Sequence, residues 1–237
     1  MPPASRALVI VLVSVSGLLA GYLSYRGVRP AAAPIPAVLP AAERPAAQDS
    51  EAEATAPAGP PARPIPATVP DLKLPDLAGQ QKSLRAFLGQ PLIINFWATW
   101  CAPCRREIPL LQQLRGAYRS QGLTIVGIAV DFRAAVIDYL HSRPIDYPLL
   151  IGEDQGLAAA EQFGMQTVLP FSVFADAQGR IVAVKIGELH RDEADYILGA
   201  MRSLAAGKMS LDEAHAGIEQ RLRELAAERA RAGVKDS

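Results

Sequence analysis

Apolar and polar positions along the chain fall into blocks whose periods predict an alternation of strands and helices. Leu72 to Leu88 breaks at Gly79, which predicts a short hairpin followed by a helical turn. Leu92–Ala98 is an almost unbroken apolar run, the pattern of a strand buried on both faces. Helical period follows over Arg105–Ser120. A second β-branched run, Leu123–Asp131, lies between Gly122 and Arg133. Ala134–Ser142 predicts a helix stopped by Pro144, Leu149–Ile151 a short strand, and Gln155–Phe163 a helix closed by Gly164. Phe171–Phe174 and Ile181–Ile186 are strands joined by Asp176-Ala177-Gln178-Gly179, a hairpin turn with glycine at the left-handed position. Arg191–Ala206 places Ile197, Leu198, Met201 and Leu204 on one helical face before Gly207. Strand–helix–strand–helix followed by a hairpin and a helix predicts an α/β sandwich with a mixed sheet flanked by helices.

Two regions outside these blocks set the organisation. Ala7 to Tyr25 is 19 residues without a charge, between Arg6 and Arg26. As a helix it would be about 28 Å long, close to the hydrocarbon thickness of a bilayer. A cleaved signal peptide has a shorter apolar core, of about 7–15 residues, and Ala31 and Ala33 lie far beyond this one for a cleavage site. Residues 1–26 are therefore expected to be an uncleaved single-pass membrane anchor rather than a signal peptide. From Gly27 to Pro70, 25 of 44 residues are Ala or Pro and no apolar period survives. Such a stretch buries too little surface to offset its ordering entropy, so 27–70 is expected to be a disordered linker. The folded domain is expected at 71–207. Residues 208–237 should add an amphipathic helix, opened by the capping box Ser210-x-x-Glu213 and carrying Leu211, Ile218, Leu222 and Leu225 along one stripe.

Charge adds little. Lys+Arg and Asp+Glu balance at 24 each with no basic cluster, so nucleic-acid binding has no support.

Cysteine usage is the informative part of the composition. The chain has two cysteines, Cys101 and Cys104, within Trp100-Cys101-Ala102-Pro103-Cys104. One such pair cannot complete a four-ligand zinc site, and His141, His190 and His215 are too scattered to supply the rest. No resident metal or other cofactor is expected beyond the cysteine pair. A bridge over four residues closes almost no loop and would constrain the unfolded chain little, so a structural staple is the weaker reading. The spacing suits a dithiol that closes reversibly into a disulfide as it gives up two electrons. If Cys101 opens the helix, its sulfur meets unpaired N–H groups and the positive end of the helix dipole. Both stabilise a thiolate and should lower its pKa from the usual value of about 8.5. Cys104, one turn in, should be more shielded and act as the resolving thiol. A Cu(I) chaperone using the same thiolates with His190 is the alternative, since soft thiolates select Cu(I). No methionine cluster supports it. Peroxide reduction has less support, because Ala98 rather than a threonine stands three residues before Cys101.

Through Asn95-Phe96-Trp97-Ala98-Thr99-Trp100-Cys101-Ala102-Pro103-Cys104-Arg105-Arg106-Glu107-Ile108-Pro109, and Leu169-Pro170-Phe171 before the hairpin, the segment from about Asp71 to Gly207 resembles the membrane-anchored, thioredoxin-like thiol–disulfide oxidoreductases of the TlpA/ResA type. The resemblance implies a thioredoxin-like fold and an exported reductase of client-protein disulfides, in cytochrome c or copper-site maturation. Its domain would face the periplasm from the bacterial inner membrane, and a membrane thiol reductant would recharge it. It implies that Pro109 bends the helix bearing the cysteines. It implies that Pro170 is a cis-proline opposite the disulfide, with Leu169 and Pro170 forming a docking edge for extended client segments. Trp100 is expected at the surface beside the cysteines, on the substrate side, and Trp97 in the core. Glu107 is implied to act at the site on cysteine pKa and proton transfer, against the simpler reading of a solvated first-turn carboxylate. Asn95 departs from cytosolic thioredoxins, which carry a titratable aspartate there, so proton handling would fall to Glu107.

Overall fold

The computed structural model describes residues 64–166 and 168–235. The expected anchor at 1–26, and the expected linker up to residue 63, lie outside the described residues. No helix among the described residues is long and apolar enough to cross a membrane.

Five strands form the main sheet: β3 (Leu92–Trp97), β4 (Thr124–Ala129), β5 (Leu149–Ile151), β6 (Phe171–Ala175) and β7 (Ile181–Ile186), in the order β5-β4-β3-β6-β7. A separate hairpin pairs β1 (Lys73–Pro75) with β2 (Gln81–Ser83). The β3/β4 and β4/β5 pairs are parallel, and β3/β6 and β6/β7 are antiparallel. This is the mixed sheet the strand pattern predicts. Parallel neighbours need crossovers, supplied by α1 (Ala102–Ala117) between β3 and β4 and by α2 (Arg133–Ser142) between β4 and β5. Then follow α3 (Glu153–Gln162), α4 (Arg191–Ala205) and α5 (Leu211–Lys235).

β3 is buried along its whole length and divides the core. Side chains alternate across a strand, so Leu92, Ile94 and Phe96 enter one apolar layer while Ile93 and Trp97 enter the other. The Phe96 layer holds Phe163 from the end of α3 and stacks Phe96 on Phe171 at 4.2 Å between ring centroids. The Trp97 layer lies against α1, α4 and α5 and contains both cysteines. Asn95 shares the Trp97 face, and its place in an otherwise apolar strand is the first sign of a buried polar group under α1.

Helix starts differ from the sequence expectation. The first helix begins at Ala102 rather than Arg105, because Pro103 is accommodated in the first turn, where no N–H is required of it. The third begins at Glu153, two residues early, with Glu153 and Asp154 in the turn the helix dipole favours. The domain also begins before Asp71. Val69 N–H donates to Gly179 O at 2.8 Å, Ile181 N–H donates to Ala67 O at 2.9 Å, and Val69 is buried. The expected linker boundary at residue 70 is corrected on these contacts. Pairing along the start of β7 orders a segment whose own composition offers no period to read.

The final helix docks as its stripe requires. Ala214, Ile218 and Leu225 are buried, and His215 Nε2 lies 2.9 Å from Ile181 O. Its capping box is formed: Glu213 N–H donates to Ser210 Oγ at 3.2 Å, and Ser210 N–H donates to Glu213 Oε2 at 2.7 Å.

Candidate active site

β3 ends at Trp97, and the chain turns through Ala98–Trp100 into α1. Cys101 is the N-cap of that helix, with extended backbone, and its sulfur accepts from Cys104 N–H at 3.3 Å. The sulfur thus takes the place a serine or aspartate oxygen usually occupies at a helix start. Cys101 and Cys104 are joined as a disulfide with Cα atoms 5.3 Å apart. Cys101 is 5% exposed and Cys104 fully buried, the order expected of an attacking and a resolving thiol. The two arginines after the cysteines are turned to other acceptors. Arg105 Nη1 donates to Thr99 O at 2.6 Å, and Arg106 donates to Glu188 Oε2 from Nη2 at 2.5 Å and from Nε at 3.0 Å.

The loop leading into Cys101 is fixed by Asp131, at the end of the adjacent strand. Asp131 Oδ2 accepts from Thr99 N–H at 2.9 Å and from Thr99 Oγ1 at 2.6 Å. Register brings the second loop to the same edge of the sheet: Phe96 pairs with Phe171, so the residues entering β6 face those leaving β3. The Leu169–Pro170 peptide bond there is cis. Pro170 is buried and Leu169 half-buried. Trp100 is 67% exposed while Trp97 is fully buried, which separates two tryptophans that periodicity leaves ambiguous. Phe132, not singled out by the sequence, stands 63% exposed next to Asp131 and so borders the same edge.

Under α1 lies the polar group that Asn95 signals. Glu107 is 1% exposed, so the solvated first-turn reading is overturned. Its Oε1 accepts from Asn95 Nδ2 at 2.7 Å, and its Oε2 accepts from Leu189 N–H at 2.8 Å. Asn95 Nδ2 also donates to Ser172 Oγ at 3.0 Å, across the β3/β6 pair that sets these two residues opposite each other. Burial pushes the Glu107 carboxyl up to about 7 from its ordinary 4.5. Bonds from Leu189 and Asn95 oppose that rise, Glu188 adds to it, and Lys185 opposes it weakly. A carboxyl poised near neutrality can gain or lose a proton at physiological pH. Among the described residues Asn95 Oδ1 has no partner, so rotating the amide would let it accept from a protonated Glu107. Tyr147 Oη and Trp97 Nε1 are likewise buried without partners among the described residues, and both side chains crowd Gly127. Burial is the main cause raising the Tyr147 hydroxyl pKa, with Glu107 next.

A sequence model of the AhpC/TSA family matches residues 65–184, half of the chain and the whole main sheet but for the last two residues of β7. The chain belongs to the AhpC/TSA family. Its fold is thioredoxin-like, and α4 and α5 both lie beyond the family match. Among curated relatives it is similar to the thiol-disulfide oxidoreductase ResA of Geobacillus kaustophilus, 27% identical over 139 residues, covering 58% of this chain and 78% of that one. ResA of Halalkalibacterium halodurans is 33% identical over 115 residues, covering 48% of this chain and 64% of that one. Among solved structures, one from Neisseria meningitidis described as a thioredoxin aligns with a TM-score of 0.50 at 25% identity, over 57% of this chain and 89% of that one.

Sequence reasoning finds Cys101, Cys104, Glu107, Trp100, Leu169 and Pro170, and the fold gathers the cysteines, Trp100 and the cis-proline loop at one edge. It does not find Ser172, Asp131, Phe132 or the Leu189 N–H. Asn95 is the one signal that points toward them. His190, named for the metal alternative, is half-buried at the N-cap of α4, where its N–H donates to Glu193 Oε2 at 3.0 Å. Among the described residues no three metal-capable side chains converge.

Proposed function

We propose that this protein is a thiol–disulfide oxidoreductase that reduces disulfides in client proteins, in the periplasm, tethered to the inner membrane by residues 1–26. The observation that carries the reading is the Cys101–Cys104 disulfide at the start of α1, with Cys101 Sγ accepting the Cys104 N–H. Helix-start N–H groups and the helix dipole stabilise a thiolate at Cys101 in the reduced protein. That thiolate attacks one sulfur of a client disulfide. The client S–S bond breaks, the released client thiolate takes a proton, and a mixed disulfide with Cys101 forms. Cys104 then loses its proton to the Glu107 carboxylate, and its thiolate attacks Cys101. The Cys101–Cys104 bond forms as the bond between Cys101 and the client breaks, and the second client sulfur leaves as a thiolate that takes a proton. Two electrons and two protons pass to the client. A membrane dithiol reductant returns the pair to its reduced form.

The reducing direction rests on what surrounds the cysteines. A strongly oxidising disulfide requires a strongly stabilised reduced state. Ala102 and Pro103 add no charge between the cysteines, and Arg105 and Arg106 are engaged by Thr99 O and Glu188. Trp100, Leu169 and Pro170 supply the surface on which an extended client segment lies, with haem-site or copper-site cysteines as client chemistry.

The test is trapping. Cys104→Ser should accumulate mixed disulfides with clients, whereas Cys101→Ser should accumulate none. Equal trapping by both variants would sink the assignment. The reduction potential of the pair, with metal content assayed on the same sample, separates a reductase from an oxidant or a Cu(I) carrier.

A further inference from the structure

The C-terminal helix lies outside the family match, yet it reaches toward the buried carboxylate through a short run of polar contacts. Arg229, on α5, pairs with Glu193 in the first turn of α4 and with Asp192 Oδ2 at 3.1 Å. Glu193 is 1% exposed. Its Oε2 accepts the His190 N–H at 3.0 Å and lies 3.6 Å from Lys185 Nζ. The next residue back, Leu189, is buried and donates its N–H to Glu107 Oε2 at 2.8 Å. Glu188, one further back, holds Arg106 of α1. The segment 188–190 is therefore pinned from both sides: by α1 through Arg106 and Glu107, and by α4 through Glu193. The lysine faces both networks, pairing with Glu193 and lowering the Glu107 pKa through its charge.

A buried carboxylate such as Glu193 requires compensation, and losing one partner of a buried pair leaves an uncompensated charge. Lys185 and Arg229 share that task. We propose that Arg229 is a positioning residue for the active site: by neutralising Glu193 it leaves Lys185 free to act on Glu107 and holds the Leu189 N–H against that carboxyl. The C-terminal helix thereby sets the pH at which Glu107 exchanges its proton. The groups facing Glu107 are Asn95 on β3, the Leu189 N–H, Glu188 and Lys185 around the end of β7, and Tyr147 before β5. Among the described residues, those facing Glu193 are Lys185, Arg229, the His190 N–H and Asp192, which shares Arg229 and accepts the Glu193 N–H.

Without Arg229, Glu193 draws the lysine charge to itself and the 188–190 segment loosens. Both changes favour protonated Glu107, so its midpoint should rise. Removing the Glu193 charge has the opposite sign, since the lysine then serves Glu107 alone and a like charge is gone.

The proposal rests on the role assigned to Glu107, but its test needs neither a client nor turnover. In the oxidised, purified protein, the carboxyl carbon of Glu107 is followed by NMR from pH 4 to 9, assigned with Glu107→Gln. Arg229→Gln should raise the midpoint by at least about half a unit, below the one to three units of a direct charge contact. Arg229→Lys should restore it, and Glu193→Gln should lower it. An unchanged midpoint in folded Arg229→Gln overturns the proposal, as does Arg229→Lys behaving like Arg229→Gln. Shifts of the same sign in Arg229→Gln and Glu193→Gln would show general loosening and overturn it as well. Should Arg229→Gln not fold, Arg229→Lys and Glu193→Gln decide: a wild-type midpoint in the first with a lowered one in the second supports the clamp, and any other pair of results overturns it. Loss of client trapping with these shifts intact would count against the proposed function alone.

Discussion

Glu107, three residues beyond Cys104 on the same helix, carries a pH signature in the physiological range. Its carboxyl stands at about 7 in the fold, raised by burial from 4.5. Between those values the folded chain binds a proton that the unfolded chain has lost, so stability falls as pH rises through this window. The loss is complete above about pH 7 and is on the order of 3 kcal/mol. Glu107→Gln should remove that slope, which urea unfolding at pH 5 and pH 8 would reveal as a smaller difference between the two. The same substitution removes a negative charge near the thiols above pH 7. It should lower the Cys101 pKa, read by thiolate absorbance, and slow release of reduced client if the carboxylate takes the Cys104 proton. No change in either quantity would leave proton transfer to water.

Strand β4 has no room for a side chain at Gly127. A Cβ there would lie 2.6 Å from Leu149 Cδ2, 3.1 Å from Tyr147 Cε2 and 3.2 Å from Trp97 Nε1. Leu149 belongs to β5, and all three side chains are packed in the core layer under α1, so none can swing into solvent. Gly127→Ala should cost about 1–3 kcal/mol by overpacking, measured as a lowered denaturation midpoint. On α5 the expected weak point is different. Ser210→Ala removes the hydroxyl that accepts the Glu213 N–H and should cost about 1 kcal/mol, since the cap is the helix's own and exposed. An effect on the helix far below that value would mean that the buried Ala214, Ile218 and Leu225 hold it without the cap.

For the whole molecule, residues 7–25 are the feature with the clearest consequence. Nineteen uncharged residues are long enough for a span, which predicts recovery in the membrane fraction with the N-terminus intact. A soluble form starting near Ala31–Pro34 would show cleavage instead. Within the folded part, strand and helix types were legible because alternation and helical period are local properties of the chain. The cysteine motif was legible because its four residues are consecutive, and the turn at Gly179 because its left-handed φ of 79° favours glycine. Leu169-Pro170 drew attention through its motif, whereas the cis bond itself is a feature of the folded chain. The starts of α1 and α3 and the packing of Ala67–Val69 were not legible, since the first turn of a helix and an irregular edge contact leave no period. Nor was the fate of Glu107. A glutamate in the first turns of a helix is equally at home in water or under a loop. What decides is the arrival of Asn95, 12 positions away, and of the Leu189 N–H, 82 positions away. The pairing of Arg229 with Glu193 spans 36 positions. Local pattern fixes which residues share a face of an element; which faces meet, and so which carboxylate is stripped of water, follows only from packing the elements together.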